Sequence, residues 1–284
     1  MNPDLTLSPD RSAVCTHVWE ARSLSIAQRL LAGAGKATLV AYHVGPIVTI
    51  SSLAHGLGAD GSVYIAATAA DDASLTDLCS DEPMDVRLSI EKQAPDPSVQ
   101  ITACAVHALA TAQWLERDEI LDLLYSSFLP SRVAEIATAP QARTARLEGT
   151  RVLLHDAGGV TPVSLAAIAD IHRQRCQKPP CPGALFNSPY GELTALERIS
   201  ALNCTIPTLL FQAMRRREIS GALMSRQPVH INVEMSAPAV LCLDIDRTGL
   251  TLMRIDDDEA LTGFVPFPQQ VETSVELAEA LAAL

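Results

Sequence analysis

The sequence predicts an α+β protein in which a closed or partly closed antiparallel β-barrel within residues 1–173 precedes a smaller α+β domain over 191–284. Three observations predict it. Apolar β segments with short turns follow one another from Lys36 to Trp114, which implies antiparallel neighbours and, where both faces are apolar, a sheet closing on itself. The Pro-rich stretch 174–190, "QRCQKPPCPGALFNSPY", has no hydrophobic period and reads as a linker. Beyond it, helices, three strands and a closing amphipathic helix form a unit of ordinary domain size.

Element by element, Leu24, Ile26, Ala27, Leu30 and Leu31 recur at helical spacing, and Gly33 and Gly35 supply a stop. Strands are expected at 36–44, 45–57 and 61–69, with Gly45-Pro46 and Asp60-Gly61 as turns. A short helical link, 71–81, leads to a hairpin of "MDVRLSIEK" and "SVQITACAVHALATAQWLE". The segment 116–128 is an amphipathic helix, 130–142 is less regular, and "RVLLHDAGGV" gives one or two strands before a helix starting near Thr161 or Pro162. In the second domain, 191–203 and 208–224 are helical and separated by Pro207. Strands at 228–235, 239–247 and 249–257 follow, turning at Ser236-Ala237-Pro238 and Arg247-Thr248-Gly249, and "SVELAEALAAL" closes the chain as a helix. Pro266 lacks an N–H and ends a ladder, which lets Phe267 turn back onto Leu277 and Leu281.

Acidic residues number 33 against 21 basic, a formal charge of −12. That sign disfavours tracking a nucleic-acid backbone or an anionic membrane. No basic head with an apolar run opens the sequence, and no segment has the roughly 20 apolar residues of a membrane span. The 7 cysteines, without CxxC pairing, read as free thiols of a cytoplasmic protein. His172, Cys176 and Cys181 lack a fourth ligand at recognisable spacing, so no metal site is assigned.

Nucleotide, hydrolase and metalloprotease motifs are absent. "GAGK" at 33–36 follows a helix and precedes a strand, the reverse of a phosphate loop. The candidate binding residues are His43, His55 and His107 on barrel strands, with Thr49 and Thr68 as groove-lining hydroxyls. His17, His155, His172 and His230 show no partner spacing. The acidic groups of "DIDRTG" and "DDDE" read as solvated turn caps, and Arg215 to Glu218 as a solvated face.

With the elements placed, "ARSLSIAQRLLAGAGKATLVAYHVGPIVTISSLAHGLGADGSVYIAATAADDASLTDL" resembles the flavin-binding split barrel of the pyridoxamine-phosphate-oxidase type. "LDIDRTGLTLMRID", "VPFPQQV" and "VELAEALAAL" are similar to the C-terminal domain of unknown function in haem-utilisation and haem-oxygenase-like relatives, and "RVLLHDAGGVTPVSLAAI" resembles their connecting segment. The resemblance implies a split barrel, a homodimer, and haem or a related ligand bound at the dimer interface. It also carries two departures. The relatives' C-terminal iron-ligating histidine has no counterpart, since no histidine follows His230, and of their polar second-domain motif only Leu202 and Asn203 remain in "ALNCTIPTLL". An iron donor must then come from the barrel or a thiol, with His55 first because it precedes the "GLGADG" turn. FMN is the less favoured cofactor, because strands 37–70 carry no Lys or Arg for its phosphate. Two rivals follow: a non-enzymatic regulatory or interaction protein that has lost the cofactor, and a flavin-dependent oxidoreductase.

Overall fold

A computed structural model of the chain describes residues 14–42, 48–68, 82–96, 100–177, 183–186, 189–201, 205–228, 239–256 and 259–284. Helix α1 (Thr16–Leu31) buries Ile26, Ala27, Leu30 and Leu31. It stops at Gly33 and Gly35, whose φ values of 114° and 81° suit glycine. At Gly35 the requirement is double, because a Cβ there would lie 2.6 Å from the Glu91 carbonyl oxygen.

Strand β1 (Lys36–Ala41) follows. The single strand expected over 45–57 is two strands, β2 (Val48–Ile50) and β3 (Ala54–Leu57), with exposed Ser51 and Ser52 between them. The serines gain nothing from burial, so the chain leaves one sheet edge there and crosses to the other. β2 pairs with β1, whereas β3 pairs with β4 (Val63–Thr68). The Asp60-Gly61 turn is as expected, Asp60 Oδ1 accepting the Ser62 N–H at 3.0 Å. The predicted Gly45-Pro46 turn and the helical link at 71–81 lie outside the described residues.

β5 (Met84–Gln93) and β6 (Thr102–Trp114) form the long hairpin. Met84, Val86, Leu88 and Ile90 face the core, joined from β6 by Cys104, Val106, Ala108 and Ala112. Then come α2 (Arg117–Tyr125), α3 (Ser131–Ala137), β7 (Ala142–Glu148), β8 (Arg151–Asp156), β9 (Gly159–Ser164) and α4 (Leu165–Cys176). The helix predicted from Thr161 or Pro162 starts at Leu165 instead. Both residues belong to β9, which among the described residues pairs only with β8 and is an edge strand, where proline costs no ladder bond. Ser164 supplies the cap, its Oγ accepting the Ala167 N–H. α4 runs on to Cys176, inside the stretch predicted as linker.

The nine strands form one antiparallel sheet in the order β2-β1-β5-β6-β7-β4-β3, with β8 and β9 off that path. β6 divides it, pairing with β8 over Cys104–His107 and with β7 over Thr111–Trp114. The two end strands of the path, β2 and β3, are consecutive in sequence, so the sheet curls back toward itself without a ladder joining them among the described residues. This sheet is a split barrel.

The second unit comprises α5 (Pro189–Ser200), α6 (Thr205–Arg215), β10 (Ala222–Pro228), β11 (Ala239–Asp246), β12 (Gly249–Ile255), β13 (Glu259–Pro266) and α7 (Ser274–Ala282). Two expectations are corrected. The helix drawn from 208 to 224 ends at Arg215, and Ala222 onward is strand β10, because Gly221 lets the chain reverse against Met214. The strand expected over 228–235 lies, after Pro228, outside the described residues, as does the Ser236–Pro238 turn. Among the described residues the sheet has four strands, where three were expected, in the order β10-β13-β12-β11. β13 was hidden by Gly263 and by the acidic run before it; that glycine admits the Met214 side chain, which a Cβ would meet at 2.5 Å. Pro266 ends β13, and Phe267 shares a core with Leu277 and Leu281, as expected.

Candidate functional site

The barrel's outer face is covered unevenly. Helices α2 and α3 pack over β3 and β4 through Tyr64, Ala66, Leu129 and Val133. The second sheet covers the start of β6, where Ala103 meets Leu243, Met253 and Ile255. Between these covers an outer strip of β5, β6, β8 and β9 faces solvent. Leu109 is 73% exposed, Val160 58% and Leu153 38%, a cluster of large apolar side chains that water disfavours.

His107 sits in this strip. Register sets Ser89, His107, Leu153 and Pro162 in one cross-strand row, and Glu91, Ala105, His155 and Val160 in the next. Ser89 Oγ lies 2.9 Å from His107 Nδ1, and no described residue hydrogen-bonds its Nε2. The His155 ring meets it edge-on, with centroids 4.8 Å apart. Burial, then the neighbouring His155, lowers the His107 pKa, so the ring is neutral near pH 7 with one nitrogen lone pair available. Arg87 is exposed on the same face of β5 and Arg151 on that of β8. Spacing along the chain assigns His155 no partner, because the pairing arises from the β6–β8 register.

The other sequence-predicted residues are not gathered around it. Thr49 is exposed on β2, on the same outer face but three strands from β6, in a row with Val40, Arg87 and Leu109. Thr68 is buried at the end of β4. His43 and His230 lie outside the described residues, as do Cys79, Cys181, Cys204, Leu202 and Asn203. His55 does not project from a rim: it is 4% exposed and donates from Nε2 to the Leu30 carbonyl at 2.8 Å, tying β3 to the last turn of α1. Burial lowers its pKa, so it too is neutral. In α4, Cys176 Sγ lies 3.5 Å from His172 Nε2.

The feature that sequence reasoning missed is a buried ion network between the two sheets. Arg29 Nη2 donates to Asp244 Oδ2 at 2.6 Å, and Arg29 Nη1 lies 3.0 Å from Glu192. Lys92 donates to Asp244 Oδ1 at 2.6 Å and to Glu192. Alongside, Arg22 pairs with Asp156 and donates to Thr251 Oγ1. Burial would raise the Asp244 carboxyl, but the Arg29 guanidinium and the Lys92 ammonium hold it well below the carboxylate range. Burial would likewise depress Lys92, but Asp244 and Glu192 together raise it above its ordinary value. The "DIDRTG" acids therefore split. Asp246 does cap its turn, accepting from Thr248 and Gly249, but both Asp244 and Asp246 are buried rather than solvated. Arg215 to Glu218 are exposed, as expected.

No protein-family model matches the sequence, and no curated protein does. Solved structures do resemble it. A haem-binding protein from Mycobacterium smegmatis is similar over 92% of this chain and 95% of its own, at 15% identity and a TM-score of 0.49. A protein of unknown function from Agrobacterium tumefaciens is similar over 93% and 95%, at 17% identity and a TM-score of 0.35. Campylobacter jejuni ChuZ is similar over 55% and 66%, at 13% identity and a TM-score of 0.36.

Proposed function

We propose that the chain is a split-barrel protein that binds haem on the outer strip of its barrel, with His107 as the imidazole donor to iron. The observation that carries this reading is the state of His107. Its Nδ1 is held by Ser89 while its Nε2 has no described partner, the arrangement in which a second hydrogen bond orients a metal-binding histidine. The surroundings fit the group: exposed Leu109, Leu153 and Val160 offer apolar contact to a macrocycle, and Arg87 and Arg151 offer cations to its carboxylates. When bound, haem supplies an iron centre for ligand or electron chemistry. The protein's part is to hold the imidazole neutral and oriented, and to keep water from the face. A second copy of the chain laid over the strip serves that last purpose and covers the apolar cluster.

Flavin is less well supported, since the buried cations Arg22, Arg29, Lys92 and Arg247 are each committed to a carboxylate. The free thiols Cys15, Cys104, Cys176 and Cys242 suit a reducing cytoplasm. No helix among the described residues is long and apolar enough to cross a membrane.

The test is a haemin titration of the purified protein with light scattering alongside. Stoichiometric saturation of a Soret band and a dimer mass are expected. His107→Ala should shift or abolish the band, while His55→Ala should leave it in place. A colourless, unresponsive wild type would replace this reading with the cofactor-free interaction protein, and flavin absorption in the purified protein would favour the oxidoreductase.

A further inference from the structure

A cleft of about 330 Å³ opens where the two units meet, well apart from the His107 strip. Its walls are the α1–β1 turn (Ala32 to Gly35), His55, Pro130 to Arg132 at the start of α3, Lys92, and Glu192, Leu193 and Leu196 from α5. The walls are fixed by close backbone approaches. Pro130 packs so tightly on Gly56 that a Cβ there would meet it at 2.7 Å, and Gly35 is held against the Glu91 carbonyl. The cleft is therefore preformed, at the small end of ligand pockets, which span roughly 300–1,000 Å³ and favour domain junctions.

The polar groups of its floor are already committed. Lys92 is paired with Glu192 and Asp244, and His55 with the Leu30 carbonyl. Arg132 is different: it is exposed and forms no ion pair with a described residue. It is a positive charge with no ion-paired carboxylate among the described residues, on a chain whose formal charge is −12. The same cleft has apolar lining, with Leu193 52% exposed and Leu196 and Pro130 beside it in the wall. A guanidinium without an ion-pair partner among the described residues, in one cleft with exposed aliphatic side chains, is the recognition pattern for a ligand with an anionic head and a hydrocarbon body.

We propose that this cleft binds a small amphiphilic carboxylate, Arg132 taking the carboxylate and Leu193, Leu196 and Pro130 the chain. At roughly 30 Å³ per heavy atom, the volume share of one water, the cleft holds about ten heavy atoms, which is the size of octanoate. The site is independent of haem. Isothermal calorimetry of the full chain with octanoate should show saturable one-to-one binding, and octanol should bind about tenfold more weakly, the factor expected for one charge-assisted hydrogen bond. Arg132→Gln should weaken octanoate by the same factor, Leu193→Asp should abolish binding, and His107→Ala should not change it. Both altered cleft residues are exposed, so folding checked by circular dichroism is expected to survive; if one variant misfolds, the other decides. Absence of saturable heat with the wild type, or equal affinity in a folded Arg132→Gln or Leu193→Asp protein, overturns the proposal.

Discussion

Asp244→Asn tests whether the buried ion network joins the two sheets. In the native network two cations, Arg29 and Lys92, meet two carboxylates, Asp244 and Glu192, with every side chain at most 12% exposed. Asparagine nearly preserves shape but removes one negative charge. Glu192 then faces two buried cations, and Asp246 is the nearest other acid acting on Arg29. Removing one partner of a buried pair costs about 3–5 kcal/mol, because the surviving charge is left uncompensated. Native proteins have only about 5–15 kcal/mol to lose, so the variant should be severely destabilised. Urea denaturation followed by tryptophan fluorescence reads this directly: the midpoint should fall, and a changed slope would mark the two units unfolding separately. Replacing both members of one pair, Arg29→Met with Asp244→Leu, leaves Lys92 against Glu192 and restores balance, so it should recover most of the loss. A loss under about 1 kcal/mol in Asp244→Asn would mean that water screens the network as it does a surface pair, and the argument would fail.

The remaining predictions concern acid, His55 and the chain between the units. Because the Asp244 pKa is depressed, its contribution is present above the unfolded carboxylate value of about 3.9 and is lost as pH falls through the lower folded value. His55 and His107 are also depressed, so their neutral forms contribute above about pH 6.5, and stability should begin to fall on that side first in a pH series of urea midpoints. His55→Ala removes the side-chain bond that ties β3 to the Leu30 carbonyl, which keeps the Gly33 N–H at 3.2 Å, and should cost about 0.5–1.5 kcal/mol in the same assay; no change would mean that this tie contributes nothing to stability. We also expect the chain to divide between Cys176, where α4 ends, and Pro189, where α5 begins, so limited proteolysis should cut there first. A first cut within β1 to β4 would remove that boundary.

The barrel was legible because its strands carry their information locally. Two apolar β segments joined as a hairpin marked β5 and β6, Gly33 and Gly35 marked the end of α1, and Asp60 marked its turn. Failures occurred where a local pattern fits two arrangements. "PIVTISSLAHGL" looks like one strand until the sheet demands that its halves lie on opposite edges, and Thr161 and Pro162 look like a helix start until β8 offers them an edge to pair with. The His107–His155 contact depends wholly on which partner β6 takes in each half of its length, which no spacing along the chain encodes.

The ion network shows the limit most sharply. Read by strict alternation, "LCLDID" places Asp244 with Cys242, away from the face of Leu241 and Leu243. The ladder with β12 slips between Cys242 and Asp244, so the chain gains a residue there and the alternation reverses. Such a bulge re-aims the side chains beyond it. Asp244 consequently shares the face of Leu243, which packs on Ala103 of β6, and so reaches Lys92 of β5 and Arg29 of α1. One clue was present in the sequence. Arg22 and Arg29 stand seven residues apart, two turns on one side of α1, amid side chains that the helix buries. Two arginines on a buried stripe require buried carboxylates; Arg22 meets Asp156 of β8 within the barrel unit, whereas Arg29 meets Glu192 and Asp244 of the second unit. β11 supplies one of them through a bulge, so the acids dismissed as turn caps include the residue that joins the two sheets.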